Sequence, residues 1–276
     1  MNIERIAILG SGSMGGAILA GLLASGFAPE RVSVSTKSEA SAQKHVEQYG
    51  VNAYSLESNA DANRLAVAGA DVVMLAVKPA YIVETLREVA DAITPDALVI
   101  SVAAGITNAS MEAALPASVR VIRSMPNTPA IVGRAVTGLA SGNRATPADL
   151  ATATALFETV GRVVVVDESQ IDALSTISGS GPAYVFYFIE QLTKAALHHG
   201  FTPEQAAAMV NDTFLGAAEL VAATGKNPSD LRRQVTSPNG TTERAIATFE
   251  GANLEQLFID ATEAALARAR ELAAGK

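Results

Sequence analysis

The 276-residue sequence contains no cysteine, only three histidines and only 17% charged residues. Without cysteine the chain has no disulfide, no thiolate nucleophile and no Cys-ligated zinc or iron–sulfur site, which also fits a reducing compartment. His198 and His199 are neighbours and point about 100° apart on a helix, so they cannot chelate together. We interpret them as structural and His45 as a surface helix residue. We therefore expect no metal site.

Runs of basic residues are also absent. The formal charge is −8, from 20 basic and 28 acidic side chains. Nucleic acid and anionic membranes both require a cationic surface, so we expect neither as a partner. The stretch from Ile6 to Pro29 is uncharged and long enough to span a membrane, but its six glycines make it a poor apolar helix. We expect a soluble, cytoplasmic protein.

Hydrophobic residues make up 49% of the chain, which is typical of a globular protein. The first half alternates short apolar runs with stretches of helical periodicity, which predicts a doubly wound parallel sheet of the Rossmann type. The predicted strands are Ile3–Leu9, Arg31–Ser35, Val51–Tyr54, Asp71–Val77, Ala97–Val102, Val119–Ser124, Arg134–Ala140 and Arg162–Val166. The predicted helices between them are Ser13–Ser25, Ser38–Gln48, Tyr81–Ile93 and one from Pro147.

Beyond Asp167 the pattern contains only helical segments. Thr202 caps one helix with Pro203 at its first position, Asn227-Pro228 begins another, and Asn253–Ala274 forms a long terminal helix. We predict two domains: a dinucleotide-binding Rossmann domain at residues 1–166 and a smaller all-α substrate and dimerisation domain at residues 167–276.

A glycine-rich loop follows the first predicted strand and opens a helix. It reads Gly10-Ser11-Gly12-Ser13-Met14-Gly15, the GxGxxG pattern of dinucleotide-binding proteins. Gly10 permits a tight turn, Gly12 lets a pyrophosphate approach the backbone, and Gly15 allows the helix to pack closely on the strand. A purely structural turn would not need all three glycines in this register. The loop therefore predicts a bound dinucleotide.

The end of the second predicted strand indicates which dinucleotide binds. NAD-specific sites carry an acidic residue about 20 residues after the glycine loop, to hold the ribose 2′-hydroxyl. This chain has Ser35, Thr36 and Lys37 there, with no acid before Glu39. Hydroxyls and a lysine suit a 2′-phosphate, unless Lys37 is only a solvated surface charge. We predict NADPH, with NADH used less efficiently.

Four further stretches become informative when they are taken together with this loop. They are Ala76-Val77-Lys78-Pro79, Met125-Pro126-Asn127-Thr128-Pro129-Ala130, Gly179-Ser180-Gly181-Pro182-Ala183-Tyr184 and Val235-Thr236-Ser237-Pro238-Asn239-Gly240-Thr241-Thr242. Over essentially its whole length the chain resembles pyrroline-5-carboxylate reductase, the last enzyme of proline synthesis. It departs from the family's usual pattern at Asn239, where glycine is frequent, and at Thr36-Lys37, where Asn-Arg is frequent. Asparagine tolerates positive φ well, so we expect the loop around Asn239 to be preserved.

The resemblance implies NADPH-dependent reduction of the cyclic imine 1-pyrroline-5-carboxylate to L-proline. On this interpretation the cofactor residues also include Ala76, Val77, Lys78, Pro79, Ala103, Gly105 and Asn127. Lys78 is equally well explained as a solvated loop lysine, and the small residues near Ala103 as tight packing. Arg120 and Arg123 we interpret as structural, with a phosphate contact as the alternative.

The substrate residues are predicted at two places in the second half. A helix N-terminus flanked by hydroxyls suits a carboxylate, which favours Ser237, Asn239, Gly240, Thr241 and Thr242 as substrate-binding, with an ordinary helix cap as the structural alternative. Gly179–Gly181 is predicted to form a loop before another helix. By resemblance, the hydroxyl of Ser175 or Thr176 hydrogen-bonds the ring nitrogen as a catalytic group, and the sequence does not choose between them.

Two other functions are compatible with a dinucleotide loop. A β-hydroxyacid dehydrogenase carries a catalytic lysine a few residues beyond the second glycine stretch, where this chain has Tyr184 and Val185, and the next lysine is Lys194. A non-catalytic NADP-binding regulatory module would not need the carboxylate loop at residues 237–242. Imine reduction is therefore the favoured function.

The segment Tyr184–Ile189 consists of six large apolar residues within one predicted helix. A helix that is apolar all round must be buried on every side, which a small helical domain cannot achieve alone. We therefore predict an obligate homodimer, or a higher oligomer built from dimers. Its substrate pocket is expected at the dimer junction, with Ser237 and Thr242 offered to the partner's cofactor.

Overall fold

The computed structural model describes residues 3–273 and contains one eight-stranded sheet in the order β3-β2-β1-β4-β5-β6-β7-β8. Each of the eight predicted strands is present, with ends shifted by up to a few residues. The strands are β1 (Ile6–Leu9), β2 (Val32–Thr36), β3 (Asn52–Ser55), β4 (Val72–Leu75), β5 (Leu98–Ser101), β6 (Arg120–Met125), β7 (Ala135–Ser141) and β8 (Gly161–Val165).

Strands β1 to β6 are parallel, as predicted, but β7 runs antiparallel to β6, and β8 runs parallel to β7. The connection between β6 and β7 covers only residues 126–134. A parallel crossover requires roughly a dozen residues or more, so this short connection returns the chain in the opposite direction. The sheet is therefore dominated by parallel pairs without being wholly parallel.

Helices cover both faces of the sheet. Their bounds are α1 (Ser13–Ala24), α2 (Glu39–Tyr49), α3 (Ala62–Val67), α4 (Ile82–Val89), α5 (Asn108–Glu112) and α6 (Pro147–Phe157). Successive residues of a strand point to opposite faces. Accordingly Ile8 of β1 packs in the core with α1 and α6, and the adjacent Leu9 packs in the second core, with α3, α4 and α5. Burial on both faces explains the continuous apolar runs of the central strands.

The described residues after β8 contain helices and no strand. These helices are α7 (Ile171–Leu174), α8 (Gly181–His198), α9 (Pro203–Thr224), α10 (Pro228–Gln234), α11 (Thr241–Gly251) and α12 (Leu254–Ala273), with a π-helical turn at Ser175–Gly179. The predicted caps are confirmed: the Thr202 side chain accepts a hydrogen bond from the Gln205 amide, and Asn227 caps α10. Ala274, the predicted end of the terminal helix, lies outside the described residues.

The chain forms two compact units. The α/β unit extends to Ser180 and includes the end of α12 from Leu266, and the helical unit comprises Gly181–Ala265. The functional division at residue 166 stays a prediction, and residues 1–2 and 274–276 of the predicted domains lie outside the described residues. The predicted loop at Gly179–Gly181 is wrong: Gly179 ends the π-helical turn, Ser180 keeps right-handed helical torsions, and Gly181 begins α8.

The helical unit exposes many large apolar side chains. Phe186 and Tyr187 of α8 are 59% and 61% exposed, and on the long helix α9 only Ala206 and Val210 are buried. By length and composition alone, α9 is also apolar enough to span a membrane. A helix that another protein chain covers meets the same criterion.

Candidate functional site

The sheet order places the glycine-rich loop at a topological switch point. From β1 the chain proceeds to β2 on one side, while β4 pairs with β1 on the other. Open α/β sheets bind ligands at such points, in the crevice at the carboxyl ends of the strands. Residues 10–15 follow β1 at this edge, and residues 76–79 follow β4 beside them.

Two glycines of the loop are required by packing. Gly10 has φ +87°, and a Cβ atom there would lie 2.9 Å from the carbonyl carbon of Ala76 and from Cγ1 of Val77. At Gly15 a Cβ atom would lie 2.4 Å from the carbonyl oxygen of Gly10. The tight turn and the close helix–strand approach therefore depend on the absence of side chains at these two positions.

Gly12 differs from both, because a Cβ atom at this position would have no described atom within 4 Å. Gly12 is the N-cap of α1, and it offers no side chain to cap the helix. An uncapped helix N-terminus beside open space suits a phosphate group, since the first amides of a helix lack partners within it. The residues of the loop, including Ser11, Ser13 and Met14, thus fit a dinucleotide pyrophosphate.

The residues at the end of β2 divide into internal and external side chains. Ser35 is buried and donates from Oγ to Oδ1 of Asn63 at 2.7 Å, while its carbonyl oxygen accepts from the Gly10 amide. Thr36 is also buried, and its hydroxyl donates to the Ser38 carbonyl at 2.8 Å. Both hydroxyl protons are thus donated within the protein. Of these three residues only Lys37 has an exposed side chain. The roles of Ser35, Thr36 and Lys37 in cofactor binding stay predictions.

His45 is not the surface residue that we predicted. It is only 9% exposed, its Nε2 lies 2.7 Å from Oγ of Ser11, and its ring stacks on Tyr49. Burial lowers the pKa of this imidazole below its ordinary value of 6.5. The sequence did contain a signal for this burial. His45 lies three residues after Ala42, the other buried residue of α2, and residues three apart share a helix face.

A cavity of about 420 Å³ lies within the α/β unit, near the carboxyl ends of β4, β5 and β6. It brings together three predicted site residues, namely Pro79, Gly105 and Ser175. The end of α12 also contributes to the wall, through Ala269 and Leu272. Residues 76–79 connect this cavity to the glycine-rich loop. Ala76 packs against Gly10 and Gly15 of the loop, and Pro79, three residues later, lines the cavity.

An ion pair between a buried arginine and a half-buried aspartate lines the same cavity. Arg123 is 3% exposed and places Nη2 2.5 Å from Oδ1 of Asp172, with Nη1 3.7 Å from Oε1 of Glu168. Breaking such a pair would leave an uncompensated buried charge. These two contacts favour the structural interpretation of Arg123, which also forms part of the cavity wall together with Asp172. Asp172 was missed because no local pattern connects positions 49 residues apart.

Asn127 uses both ends of its amide inside the protein. Nδ2 donates to the Ser178 carbonyl at 2.8 Å, and Oδ1 accepts from the Val136 amide at 2.9 Å. These bonds join the end of β6 to the π-helical turn and to the start of β7. Among the other predicted cofactor residues, Ala103 is buried, Val77 is half-buried, and Lys78 is exposed.

The two candidate catalytic hydroxyls lie in the π-helical turn, a form of helix that is frequent at functional sites. Ser175 Oγ donates to the Asp172 carbonyl at 2.7 Å, and Thr176 Oγ1 donates to the Ala173 carbonyl at 2.8 Å. Ser175 is half-buried and lines the cavity, whereas Thr176 is 4% exposed. By donating its proton to a carbonyl, the Ser175 hydroxyl turns its oxygen into an acceptor.

The predicted carboxylate loop lies in the helical unit and leads into α11. Asn239 has φ +61°, which confirms the expected positive φ, and its amide donates to Oε2 of Glu243 at 2.8 Å. A Cβ atom at Gly240 would lie 2.9 Å from the Ser237 carbonyl oxygen, so the turn requires glycine. Gly240 caps α11 without a side-chain bond. Ser237 and Thr241 are exposed, and Thr242 is half-buried.

Comparison with known proteins identifies the same two regions. The family model for pyrroline-5-carboxylate reductase dimerisation matches residues 168–272. A second model, described as NADP oxidoreductase, coenzyme F420-dependent, matches residues 5–105. The matches therefore cover both the glycine-rich loop and the helical part of the chain.

Full-length relatives agree with these models. The pyrroline-5-carboxylate reductase of Pseudomonas aeruginosa is 39% identical over 99% of this chain and 98% of its own length. A structure of a pyrroline-5-carboxylate reductase from Coxiella burnetii is also 39% identical, has a TM-score of 0.92, and is matched over 98% of this chain and 99% of that one. The fold also matches the NADP-bound Plasmodium falciparum pyrroline carboxylate reductase, at 24% identity over 99% and 98% of the two chains and a TM-score of 0.83. The resemblance inferred from the motifs is confirmed: this chain belongs to the pyrroline-5-carboxylate reductase family.

Proposed function

We propose that the protein catalyses the NADPH-dependent reduction of 1-pyrroline-5-carboxylate to L-proline, the last step of proline biosynthesis. The observation that carries this proposal is the 39% identity to a pyrroline-5-carboxylate reductase over 99% of the chain, which spans both the dinucleotide loop and the carboxylate loop. The packing of Gly10 and Gly15 and the open space at Gly12 support the dinucleotide part independently.

NADPH supplies a hydride when it is bound, so the protein mainly contributes position and electrostatics. We assign the pyrophosphate to residues 10–15 and the amides at the start of α1. The 2′-phosphate is assigned to Lys37, the exposed cation at the end of β2, because Ser35 and Thr36 already donate their hydroxyl protons within the protein. The nicotinamide half is assigned to residues 76–79, Ala103 and Gly105, of which Pro79 and Gly105 line the cavity wall. Asn127 supports that wall through its bonds to the π-helical turn.

The substrate carries a carboxylate and a cyclic imine. We assign the carboxylate to the uncapped N-terminus of α11, with Ser237, Asn239, Gly240, Thr241 and Thr242 as its ligands. In the reaction the hydride adds to the imine carbon, and the electron pair of the C=N π bond moves to the ring nitrogen, which carries a proton taken up from solvent. Of the two candidate hydroxyls, Ser175 is favoured as the partner of the ring nitrogen because it lines the cavity. Its hydroxyl already donates to a carbonyl, so its oxygen is oriented to accept from a protonated ring nitrogen.

The helical unit supports assembly of identical chains. The dimerisation model matches residues 168–272, and the large apolar side chains of α8 need a covering surface. We assign the assembly as a homodimer or a higher oligomer built from dimers. The absence of nucleic-acid and membrane partners and a cytoplasmic location remain predictions.

A substrate panel tests the proposed function against the β-hydroxyacid dehydrogenase alternative. Residues 182–190 contain no lysine, so reduction of a carbonyl would lack the proton donor that those enzymes use. We expect NADPH oxidation with 1-pyrroline-5-carboxylate and none with 3-oxo acids, and no reduction of NADP⁺ by 3-hydroxy acids. Turnover of the hydroxy acids with no turnover of the cyclic imine would overturn the proposal.

A further inference from the structure

His45 is a buried polar side chain with no part in the function assigned above. It lies on the inner face of α2, between its stacking partner Tyr49 and the hydroxyl of Ser11, whose Oγ is 2.7 Å from Nε2. The other ring nitrogen, Nδ1, is buried and has no hydrogen-bond partner among the described residues. Burying an imidazole costs free energy unless its polar atoms are used. The contact between Nε2 and Ser11 Oγ is therefore the one from which we infer its task.

The direction of that hydrogen bond depends on where the imidazole carries its proton. A neutral histidine has one N–H donor and one acceptor nitrogen. With the proton on Nε2, His45 donates to Ser11 Oγ, and the hydroxyl proton of Ser11 is free to point away from α2. With the proton on Nδ1, Ser11 must instead donate inward to Nε2. Only the first arrangement makes Ser11 an outward donor.

Ser11 is the one residue between Gly10, which the packing holds in a tight turn, and Gly12, which borders open space. Its side chain is half-buried, so the hydroxyl contacts His45 on one side and lies at the edge of the loop on the other. An anionic group in this loop would accept the Ser11 proton. Hydrogen bonds to charged groups are stronger than those to neutral groups, which favours the outward orientation once a phosphate is bound.

We propose that His45 is a positioning residue for the dinucleotide: its Nε2–H donates to Ser11 Oγ, so that the Ser11 hydroxyl donates to a phosphate oxygen of NADPH. This inference rests on the proposed function for the identity of the cofactor. The phosphate is either the pyrophosphate or the ribose 2′-phosphate, since the loop follows β1 and α2 begins beside Lys37. Binding of NADPH and NADH distinguishes the two, because only NADPH carries the 2′-phosphate.

Four variants separate this relay from simple packing. Ser11→Ala removes the relayed donor, and His45→Leu removes the donor behind it while filling the space. His45→Gln keeps an N–H donor near the position of Nε2, whereas the shorter His45→Asn does not reach it. His199→Gln is the matched control, because His199 is an exposed histidine in the helical unit.

The measurement is fluorescence titration of the full-length protein with NADPH and with NADH, without substrate. Its outcome is therefore independent of turnover on the cyclic imine. We expect Ser11→Ala to raise the NADPH dissociation constant about tenfold, as the loss of a hydrogen bond to a charged group implies. His45→Leu and His45→Asn should raise it by roughly three- to tenfold through the weaker orientation of Ser11. His45→Gln and His199→Gln should remain near the wild-type value.

The double variant Ser11→Ala/His45→Leu should bind no more weakly than Ser11→Ala, because both changes act through one hydroxyl. If the His45→Leu protein does not fold, the contrast between His45→Asn and His45→Gln makes the same test. Equal losses with NADPH and NADH would support the relay to the pyrophosphate, and losses confined to NADPH would support the relay to the 2′-phosphate. Unchanged binding in His45→Asn and His45→Leu, no restoration by His45→Gln, or additive losses in the double variant would overturn the proposal.

Discussion

The two units of this protein treat their apolar side chains in opposite ways. In the α/β unit, Ile18, Leu19 and Leu22 of α1 are fully buried, and β1 and β4 are buried along their whole length. In the helical unit, α8, α11 and α12 contain no buried residue. Exposed apolar surface of this extent marks an interaction site. The first unit thus completes its own core, whereas the second exposes an apolar surface in the region that matches the dimerisation family model.

A charge placed on the exposed apolar face of α8 tests this difference between the two units and should have the largest effect. We expect Phe186→Glu to dissociate the assembly and abolish activity, because a central aromatic in an interface contributes about 2–4 kcal/mol. Light scattering would then report the mass of a single chain. Leu65→Glu is the control, since Leu65 is 43% exposed on α3 of the α/β unit. A Phe186→Glu protein that kept its size and activity would contradict a dependence on a second chain.

Substitutions at two glycines of the α/β unit should affect different properties, one the stability of the protein and the other its affinity for NADPH. Gly15→Ala brings a Cβ atom to 2.4 Å from a carbonyl oxygen and should destabilise the protein by about 1–3 kcal/mol, as overpacking does. Gly12→Ala meets no described atom and should leave stability unchanged, while NADPH binding weakens on the order of a hundredfold because the phosphate loses its close approach. Denaturant unfolding and NADPH titration measure the two effects. Equal effects of both variants on stability would refute the distinction.

In the helical unit the corresponding change is Thr242→Ala. The loss of one hydrogen bond to the substrate carboxylate should raise the apparent KM for 1-pyrroline-5-carboxylate about tenfold, with little change in the NADPH dissociation constant. Thr248→Ala, an exposed threonine further along α11, is the control. If Thr242→Ala weakened NADPH and left KM unchanged, the loop would have been assigned to the wrong ligand.

Mixing variants tests whether the two units of different chains share one site. Co-refolded Gly12→Ala and Thr242→Ala chains form hybrid dimers, in which one composite site contains neither substitution. At substrate concentrations far below KM, activity above the mean of the two separate variants would indicate a composite site. Activity equal to that mean would confine each site to a single chain.

Replacing Lys37 tests the predicted preference for NADPH over NADH. Lys37→Ala should weaken NADPH about tenfold and NADH hardly at all, because only NADPH offers a 2′-phosphate to this exposed cation. The effect should diminish with added salt. Lys44→Ala removes the same charge elsewhere on the surface and should affect both cofactors equally. A matching loss of NADPH and NADH in Lys37→Ala would contradict the assignment.

The smallest expected effect is a pH dependence of stability through His45. Its pKa is lowered by burial, so below pH 6.5 the unfolded chain binds a proton that the folded chain resists, and stability falls as the pH falls. His45→Gln should remove this component, whereas His199→Gln should not. Denaturant midpoints above and below the ordinary histidine pKa measure it. Identical pH profiles for the wild type and His45→Gln would contradict the buried neutral state.

Local sequence patterns were sufficient to predict most of the strands and helices. Short apolar runs predicted the strands, and Thr202 with Gln205 predicted the start of α9, because these signals depend on neighbouring residues. The antiparallel β7 was missed, since its direction depends on the length of a connection. The six-residue helix α3 was missed as well, being too short for a clear periodicity.

The site was predicted less completely than the fold. Gly10, Gly12 and Gly15 could be assigned because each has a distinct steric role within one loop. The pairing of His45 with Ser11 and of Arg123 with Asp172 could not be assigned, because these contacts join segments 34 and 49 residues apart. The loop predicted at Gly179–Gly181 is instead the junction between a π-helical turn and α8, since glycine signals a turn locally without specifying which one forms.

Following the transferred hydrogen with an isotope is the most direct test of the proposed reduction of the cyclic imine by NADPH. NADPH carrying deuterium on the transferable position of its nicotinamide is incubated with the protein and 1-pyrroline-5-carboxylate, and the product is examined by mass spectrometry and NMR. We expect L-proline with one deuterium on the ring carbon that was the imine carbon, formed in equal amount to the NADP⁺ produced. Oxidation of NADPH without labelled proline, or no reaction with the cyclic imine, would contradict it.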